Sequence, residues 1–322
     1  MIFAADSAFW QTFTQQTIDG LAFGALIALI ALGYTMVYGI VELINFAHGD
    51  LFMLGCFLSL TVLALVGLGG LGVDAWIKEP SFLLRAAVIV GCLLVAMPFC
   101  GALNFGVDWL VYKPLRNAPK LAPLVSAIGV SFVFMNIGLF WGGAQDVDFP
   151  KLVPDDNILS ESSGLRFTYK EAMVFGVTVP LMIALTLFVK YSRLGKAMRA
   201  TAQNPTAAKL MGIDTNKVIG LTFAIGGALA GAGSVVYALK VNTISYTMGF
   251  QNGLYAFTAA VLGGIGRIPG AVLGGLIIGL VRYYGSAYVG ESWAGALIFG
   301  ILILILVFRP TGLLGSTTRE KV

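Results

Sequence analysis

An apolar run begins at Ile18 and would continue unbroken to Leu65 but for the polar stretch 42–50, which holds Glu42, Asn45, His48 and Asp50. No other feature constrains the fold as strongly. About 20 helical residues cross the hydrocarbon layer of a bilayer, so this run is two crossings joined by a polar break. Ionisable groups at that depth cost several kcal/mol unless they face protein, ligand or water. Their grouping in one short stretch therefore needs a reason.

Similar runs recur along the chain. Expected spans lie at about 17–40, 51–68, 82–109, 121–141, 172–189, 218–239, 253–265, 270–287 and 293–308, the seventh being short for a crossing. Residues 1–15 read as a polar, aromatic lead with no basic residue and no small-residue cleavage site, so the first span itself is expected to direct insertion. Charged residues make up 11% of the chain, against about 25% in soluble domains. The expected fold is an all-α, polytopic transmembrane bundle of about eight or nine spans in a single domain, 1–322. Broken or re-entrant helices are expected near 42–50 and 263–270. The glycines fall inside apolar runs, where small residues let helices approach. The pairs Gly20/Gly24, Gly266/Gly270/Gly274 and Gly275/Gly279 have that spacing and fit span packing or an interface with a second membrane subunit.

Charge distribution sets the expected orientation. Lys113, Arg116, Lys120, Arg267, Arg309, Arg319, Lys321 and the basic stretch 190–217 hold most of the Lys and Arg. The positive-inside rule places them in the cytoplasm, with the acidic loop at about 142–170 outside, the N-terminus outside and the C-terminus inside. The ionisable residues within spans (Arg85, Asp108, Glu171, Lys190 and Arg282) sit near span ends, where snorkelling accounts for them. Cys56, Cys92 and Cys100 have no metal-type spacing and read as small core residues. A lone histidine makes no metal site, and no acid/base pair, nucleophile or proton-relay chain is visible. Nothing points to nucleic acid.

Within the cytoplasmic loop of about 192–217, local chemistry specifies a helix of about two turns. Asn204 is a good N-cap, Pro205 suits the first helical position and Gly212 suits the residue after the C-cap. Asp214 or Thr215 then caps the next span. Such a helix fits an ordinary connector or a surface for a soluble motor to push against.

The segment Ala207-Ala208-x-x-x-Gly212 resembles the ATPase-docking loop of bacterial ABC importer permeases, departing from it with Thr206 where that loop has Glu. The stretch 28–40 running into Ile44-Asn45-Phe46-Ala47-His48-Gly49 is similar to the LivH-type permeases of branched-chain amino-acid ABC importers. So are 191–197, 257–270 and Arg309-Pro310-Thr311-Gly312-Leu313-Leu314-Gly315. The resemblance covers nearly the whole chain. It implies a non-catalytic permease in a bacterial inner membrane, importing leucine, isoleucine or valine. Its implied partners are a second, homologous permease, two cytoplasmic ATP-binding subunits and a periplasmic amino-acid-binding protein. Asn204, Pro205, Thr206, Ala207, Ala208, Lys209 and Gly212 are the expected ATPase-coupling residues. No cofactor is expected on this chain, which lacks a P-loop; ATP and Mg belong to the partners. Urea-type permeases of the same superfamily are the nearest alternative. A self-sufficient channel or carrier is a more distant one.

For the substrate pathway the candidates are Asn45, His48, Gly263, Gly264 and Gly266. The stretch 263–270 breaks a helix with its glycines and Pro269. It fits either a broken helix lining a cavity or a tight cytoplasmic turn. Asn45 and His48 fit either a gate or a capped turn in which His48 pairs with backbone, Asp50 or lipid headgroups.

Overall fold

The computed structural model describes residues 2–77, 81–116, 118–119, 121–159 and 164–315, with side chains from residue 9 onward. Lys120, Glu161, Arg319 and Lys321, which contribute to the loop charges above, lie outside the described residues.

The chain is helical almost throughout. α1 (Ile2–Val41) and α2 (Ala47–Val66) are followed by α3 (Phe82–Val107), which continues through a π-turn (Asp108–Tyr112) into α4 (Lys113–Leu115). Then come α5 (Leu121–Gly142), β1 (Val147–Asp148), α6 (Tyr169–Tyr191), α7 (Arg193–Gln203), α8 (Pro205–Leu210) and α9 (Thr215–Val241). β2 (Thr243–Ile244), α10 (Met248–Gly263), α11 (Ile268–Tyr288) and α12 (Glu291–Phe308) complete the chain. Among the described residues, eight helices are long and apolar enough to cross a membrane: α1, α2, α3 with its extension, α5, α6, α9, α11 and α12. α10 has 16 residues, about 24 Å of helix, and is not one of them. Its starting residue lies close after β2, which pairs antiparallel with β1 of the 142–170 loop. The polar connection expected at 240–252 is thus reduced to 242–247.

Two ends of the bundle can be told apart by what they carry. One holds α7, the 264–267 turn and the C-terminal segment 309–315, brought together around one cleft, with α8 following α7 directly. The other holds the β1–β2 pair and the start of α6, where Gln15 of α1 exchanges hydrogen bonds with the backbone of Arg166. α1 runs from the second end to the first. The expected lead at 1–15 is instead the start of α1. Its Gln and Thr residues are acceptable in a helix, and hydropathy alone does not register them.

Burial separates the helices. In α1 94% of the most apolar window is enclosed by the rest of the chain, against 22% in α5 and α6 and 11% in α12. α1 is the central post, while the outer faces of α5, α6 and α12 remain for lipid or another subunit. The closest seam is α1 against α11. A Cβ at Gly24 would lie 2.8 Å from Leu276 Cα, and one at Gly279 would lie 2.4 Å from Gly24 Cα. The small-residue pairs at 20/24 and 275/279 therefore pack against each other within the chain. Gly274 seats α11 on α10 in the same way, at Ala259.

Two of the expected snorkelling residues do not snorkel. Asp108 is 3% exposed, and one guanidinium nitrogen of Arg116 donates to both its carboxylate oxygens, at 2.7 and 2.9 Å. Glu171 is also buried. It completes a capping box with Thr168 at the start of α6 and accepts from Lys240 at 2.9 Å. The three cysteines are buried.

Candidate functional site

α1 ends at Val41, and Glu42 takes a left-handed backbone (φ 54°), an uncommon conformation for a side-chain-bearing residue that stops the helix. Residues 42–45 are non-helical, and helix resumes at Ala47, earlier than the polar stretch suggested. His48 and Asp50 therefore sit in the first turn of α2. That turn lies well inside the bundle, because the His48 ring packs edge-on against Tyr34, with centroids 4.7 Å apart. Tyr34 stands seven residues, about 10 Å, before the end of α1. The start of α2 is a helix N-terminus inside the bundle, an arrangement that presents backbone donors to an anionic group.

The break is held from outside. Asn45 Nδ2 donates to Asn104 Oδ1 at 3.0 Å, and Asn104 Nδ2 donates to the carbonyl of Phe223 on α9 at 2.7 Å. The Tyr112 hydroxyl donates to the carbonyl of Ile44 at 3.1 Å. Asp50 turns away from His48 and accepts from the Ser131 hydroxyl of α5. Asp50 is thus taken by Ser131, while the His48 ring faces the backbone of Ile30 without a well-formed hydrogen bond, and Thr35 Oγ1, Asn45 Oδ1 and Asp50 Oδ1 are buried with no partner among the described residues. An unpaired buried polar atom costs about 1–3 kcal/mol. Five of them cluster on Thr35, Asn45, His48 and Asp50, around the break between α1 and α2.

Asn45 and His48 line a narrow crevice with Gly33, Tyr34, Val37, Tyr38, Phe257, Ala260 and Ile265. Its free space of about 10 Å³ is roughly one water's worth. Tyr38, Phe257 and Ile265 also line a wide cleft of about 910 Å³ at the α7–α8 end, which carries Arg199, Gln203, Gly266, Arg267 and Thr311. On the other side α2 and α10 close together: a Cβ at Gly49 would lie 2.7 Å from Gly253 Cα. The crevice adjoins one open mouth and has a shut seam opposite.

The candidates of the second break are placed apart from one another. Gly266 (φ 88°) faces the cleft. Gly263 and Gly264 are buried, Gly263 against Gly270 and Gly264 against Gly315. The C-terminal segment binds them there, with Leu313 N–H donating to Leu262 O at 2.8 Å and Leu314 N–H to Gly263 O at 3.0 Å. Tyr34, Phe257, Asn104 and Tyr112 are members of this region that sequence reasoning missed. Asn104, an isolated amide inside an apolar span, was the available signal.

The helix at 205–210 forms as its local chemistry requires. Asn204 Oδ1 accepts from Ala207 N–H at 2.9 Å, Pro205 opens the helix and Gly212 follows it with φ 83°. Ala208 is buried toward the bundle, while Pro205, Thr206, Ala207 and Lys209 are exposed. Leu210 and Met211 are each 83% exposed. Arg199 of α7 donates to the last carbonyls of α6, at Val189 and Lys190. Asp214 caps α9 by accepting from Lys217 N–H at 3.2 Å, and that bond holds its carboxyl below the ordinary carboxylate range. The cap is intact at neutral pH and is lost only as pH falls through that lowered value.

Residues 16–307 match the family described as branched-chain amino acid transport system / permease component. The chain is 41% identical over 315 residues to the high-affinity branched-chain amino acid transport system permease protein BraD of Pseudomonas aeruginosa, covering 96% of this chain and 98% of that one. It is 41% identical over 312 residues to the corresponding protein LivH of Escherichia coli K12, with the same coverage. A more distant relative, the nucleoside ABC transporter permease protein NupB of Lactococcus lactis, is 24% identical over 282 residues. No solved structure matches. With identity sustained over nearly the full length of both chains, and with a multi-pass helical bundle around a broken helix, this protein belongs to the family of permease components of branched-chain amino acid transport systems.

Proposed function

We propose that this chain is the membrane-spanning permease of an ATP-driven importer that carries leucine, isoleucine and valine into the cell. The observation that carries the reading is the 41% identity to BraD over 96% of the chain. The site agrees in its chemistry. Unpaired polar atoms at a helix N-terminus, beside the apolar wall of Val37, Phe257 and Ala260, suit an amino acid with a charged head and an aliphatic side chain. Asn45, His48 and Gly266 line the route, and Gly263 and Gly264 shape the turn beside it. In the present conformation the crevice is too small for such a solute, so passage requires α2 and α10 to part.

The orientation in this reading is N-terminus outside and C-terminus in the cytoplasm, in a bacterial inner membrane, which makes α10, running from the β1–β2 end to the 264–267 turn, a ninth and short crossing beside the eight longer helices. Two ATP-binding subunits, which hold ATP and Mg, dock on residues 204–212. A periplasmic amino-acid-binding protein delivers substrate to the end that carries β1 and β2. A second homologous permease, in a heterodimer, covers part of the outer helix faces. The test is uptake of labelled leucine, and separately of urea, in a strain lacking and then regaining this chain. Leucine uptake that falls on deletion and returns on complementation supports the reading. Leucine uptake indifferent to the chain overturns it.

A further inference from the structure

We infer that Asn104 and Tyr112 are positioning residues that carry movement of the α8–α9 junction to the broken helix at 42–46, with the π-turn at 108–112 setting Tyr112 in place. The inference rests on the importer reading and assigns the mechanical link within it.

Pro114 lacks an N–H and would press on the carbonyl of Leu110 in a regular helix. The turn just before it is widened, with Lys113 N–H reaching back to Asp108 O. A π-turn adds one residue and so rotates everything after it by about 100°. Tyr112 is thereby aimed inward, where it is fully buried, its ring lies 5.1 Å from that of Phe223 and its hydroxyl holds Ile44.

The end of α3 and the start of α9 form one body. Arg116 pairs with Asp108 and also donates to Asn216, the second residue of α9. Gly220 makes room for the approach, since a Cβ there would lie 2.8 Å from the Phe105 ring. Eight residues into α9, about 12 Å along its axis, the Phe223 carbonyl takes the hydrogen bond from Asn104. This body grips two consecutive residues of the break, Ile44 through Tyr112 and Asn45 through Asn104. At its other end, α9 begins directly after α8, joined by Ile213 N–H donating to Ala208 O and by the Asp214 cap. A displacement of α8 thereby reaches Asn45, and with it the first turn of α2, through a continuous series of hydrogen bonds.

The test uses the whole complex, permeases with ATPases and binding protein, in liposomes. Tyr112→Phe removes one oxygen and keeps the ring packing; Asn104→Leu removes both amide bonds at similar volume. Loss of one hydrogen bond is expected to lower leucine imported per ATP hydrolysed about three- to tenfold, with ATP hydrolysis and the half-saturating leucine concentration maintained. An unchanged ratio, with uptake and hydrolysis either both normal or both reduced in parallel, overturns the inference. If Asn104→Leu does not assemble, Tyr112→Phe alone decides. A wild-type complex without ATP-driven leucine uptake refutes the importer reading instead, before any variant is compared.

Discussion

Gly33 lies directly against the imidazole of His48: a Cβ built on Gly33 would come 2.2 Å from Nε2 and 2.5 Å from Cε1. The central helix thus gives up a side chain where the broken helix turns its only histidine inward. Gly33→Ala is expected to displace the ring at a cost of about 1–3 kcal/mol, visible as a lower unfolding temperature of the purified protein and reduced leucine uptake. Combining it with His48→Ala removes the collision with the ring and leaves only a tight contact at the Gly226 carbonyl, 3.0 Å away. The double variant should therefore be more stable than the sum of the two single effects implies. Strict additivity would mean that the two residues do not meet.

The tip of the α7–α8 unit offers a second test. Leu210 and Met211 are apolar and almost fully exposed, and Asn204 holds the helix that presents them. Leu210→Asp should abolish co-purification of the ATP-binding subunits without altering the thermal stability of the isolated permease, because its side chain contributes nothing to the fold. Asn204→Ala, which costs about 1 kcal/mol of cap energy, should weaken co-purification more mildly. Normal ATPase recovery with Leu210→Asp would place the docking surface elsewhere.

What the sequence displayed was local. Asn204, Pro205 and Gly212 spell out a capped helix in nine residues, and the fold keeps it because nothing distant competes. The polar stretch 42–50 was equally visible as an interruption of an apolar run. Where helix resumes was not, since the first turn of α2 is set by Gly33 and Tyr34 packing on His48 and by Gly253 packing on Gly49. The partners of the break were hidden for the same reason. Asn45 and Asn104 are separated by 59 positions and Asn104 and Phe223 by 119, and no periodicity links them. Asp108 looked like a span-end charge because hydropathy does not register that the helix continues through the π-turn, bringing Arg116 back over it.

That pair makes a third prediction. Asp108 and Arg116 have side chains 5% and 17% exposed. Removing one member of a buried pair leaves a charge without its partner, at a cost of about 3–5 kcal/mol, whereas replacing both is often far milder. Arg116→Ala alone should therefore lower the unfolding temperature more than Arg116→Ala combined with Asp108→Asn. Arg116→Lys should rescue only in part, because a single ammonium cannot hold the carboxylate of Asp108 and the amide oxygen of Asn216 as the two guanidinium nitrogens do. A double variant as unstable as the single one would show that packing, not charge, holds this corner.

The seam between α1 and α11 separates packing glycines from incidental ones. At Gly24 and Gly279 the atoms that a new side chain would meet are backbone of the facing helix, closer than 3.0 Å, so no rotamer change relieves the contact and the helices must move apart. At Gly129 of α5, on an exposed face, a Cβ would meet nothing within 4 Å. Lipid-embedded helices associate through close van der Waals contact rather than hydrophobic exclusion, so separation forfeits most of what holds α11 to the central post. Gly24→Val and Gly279→Val should each reduce the yield of monodisperse protein in detergent, with a loss of stability of about 3 kcal/mol or more. Gly129→Val should leave yield and unfolding temperature close to wild type. If all three behave alike, intrinsic helix preference and not the seam governs these positions.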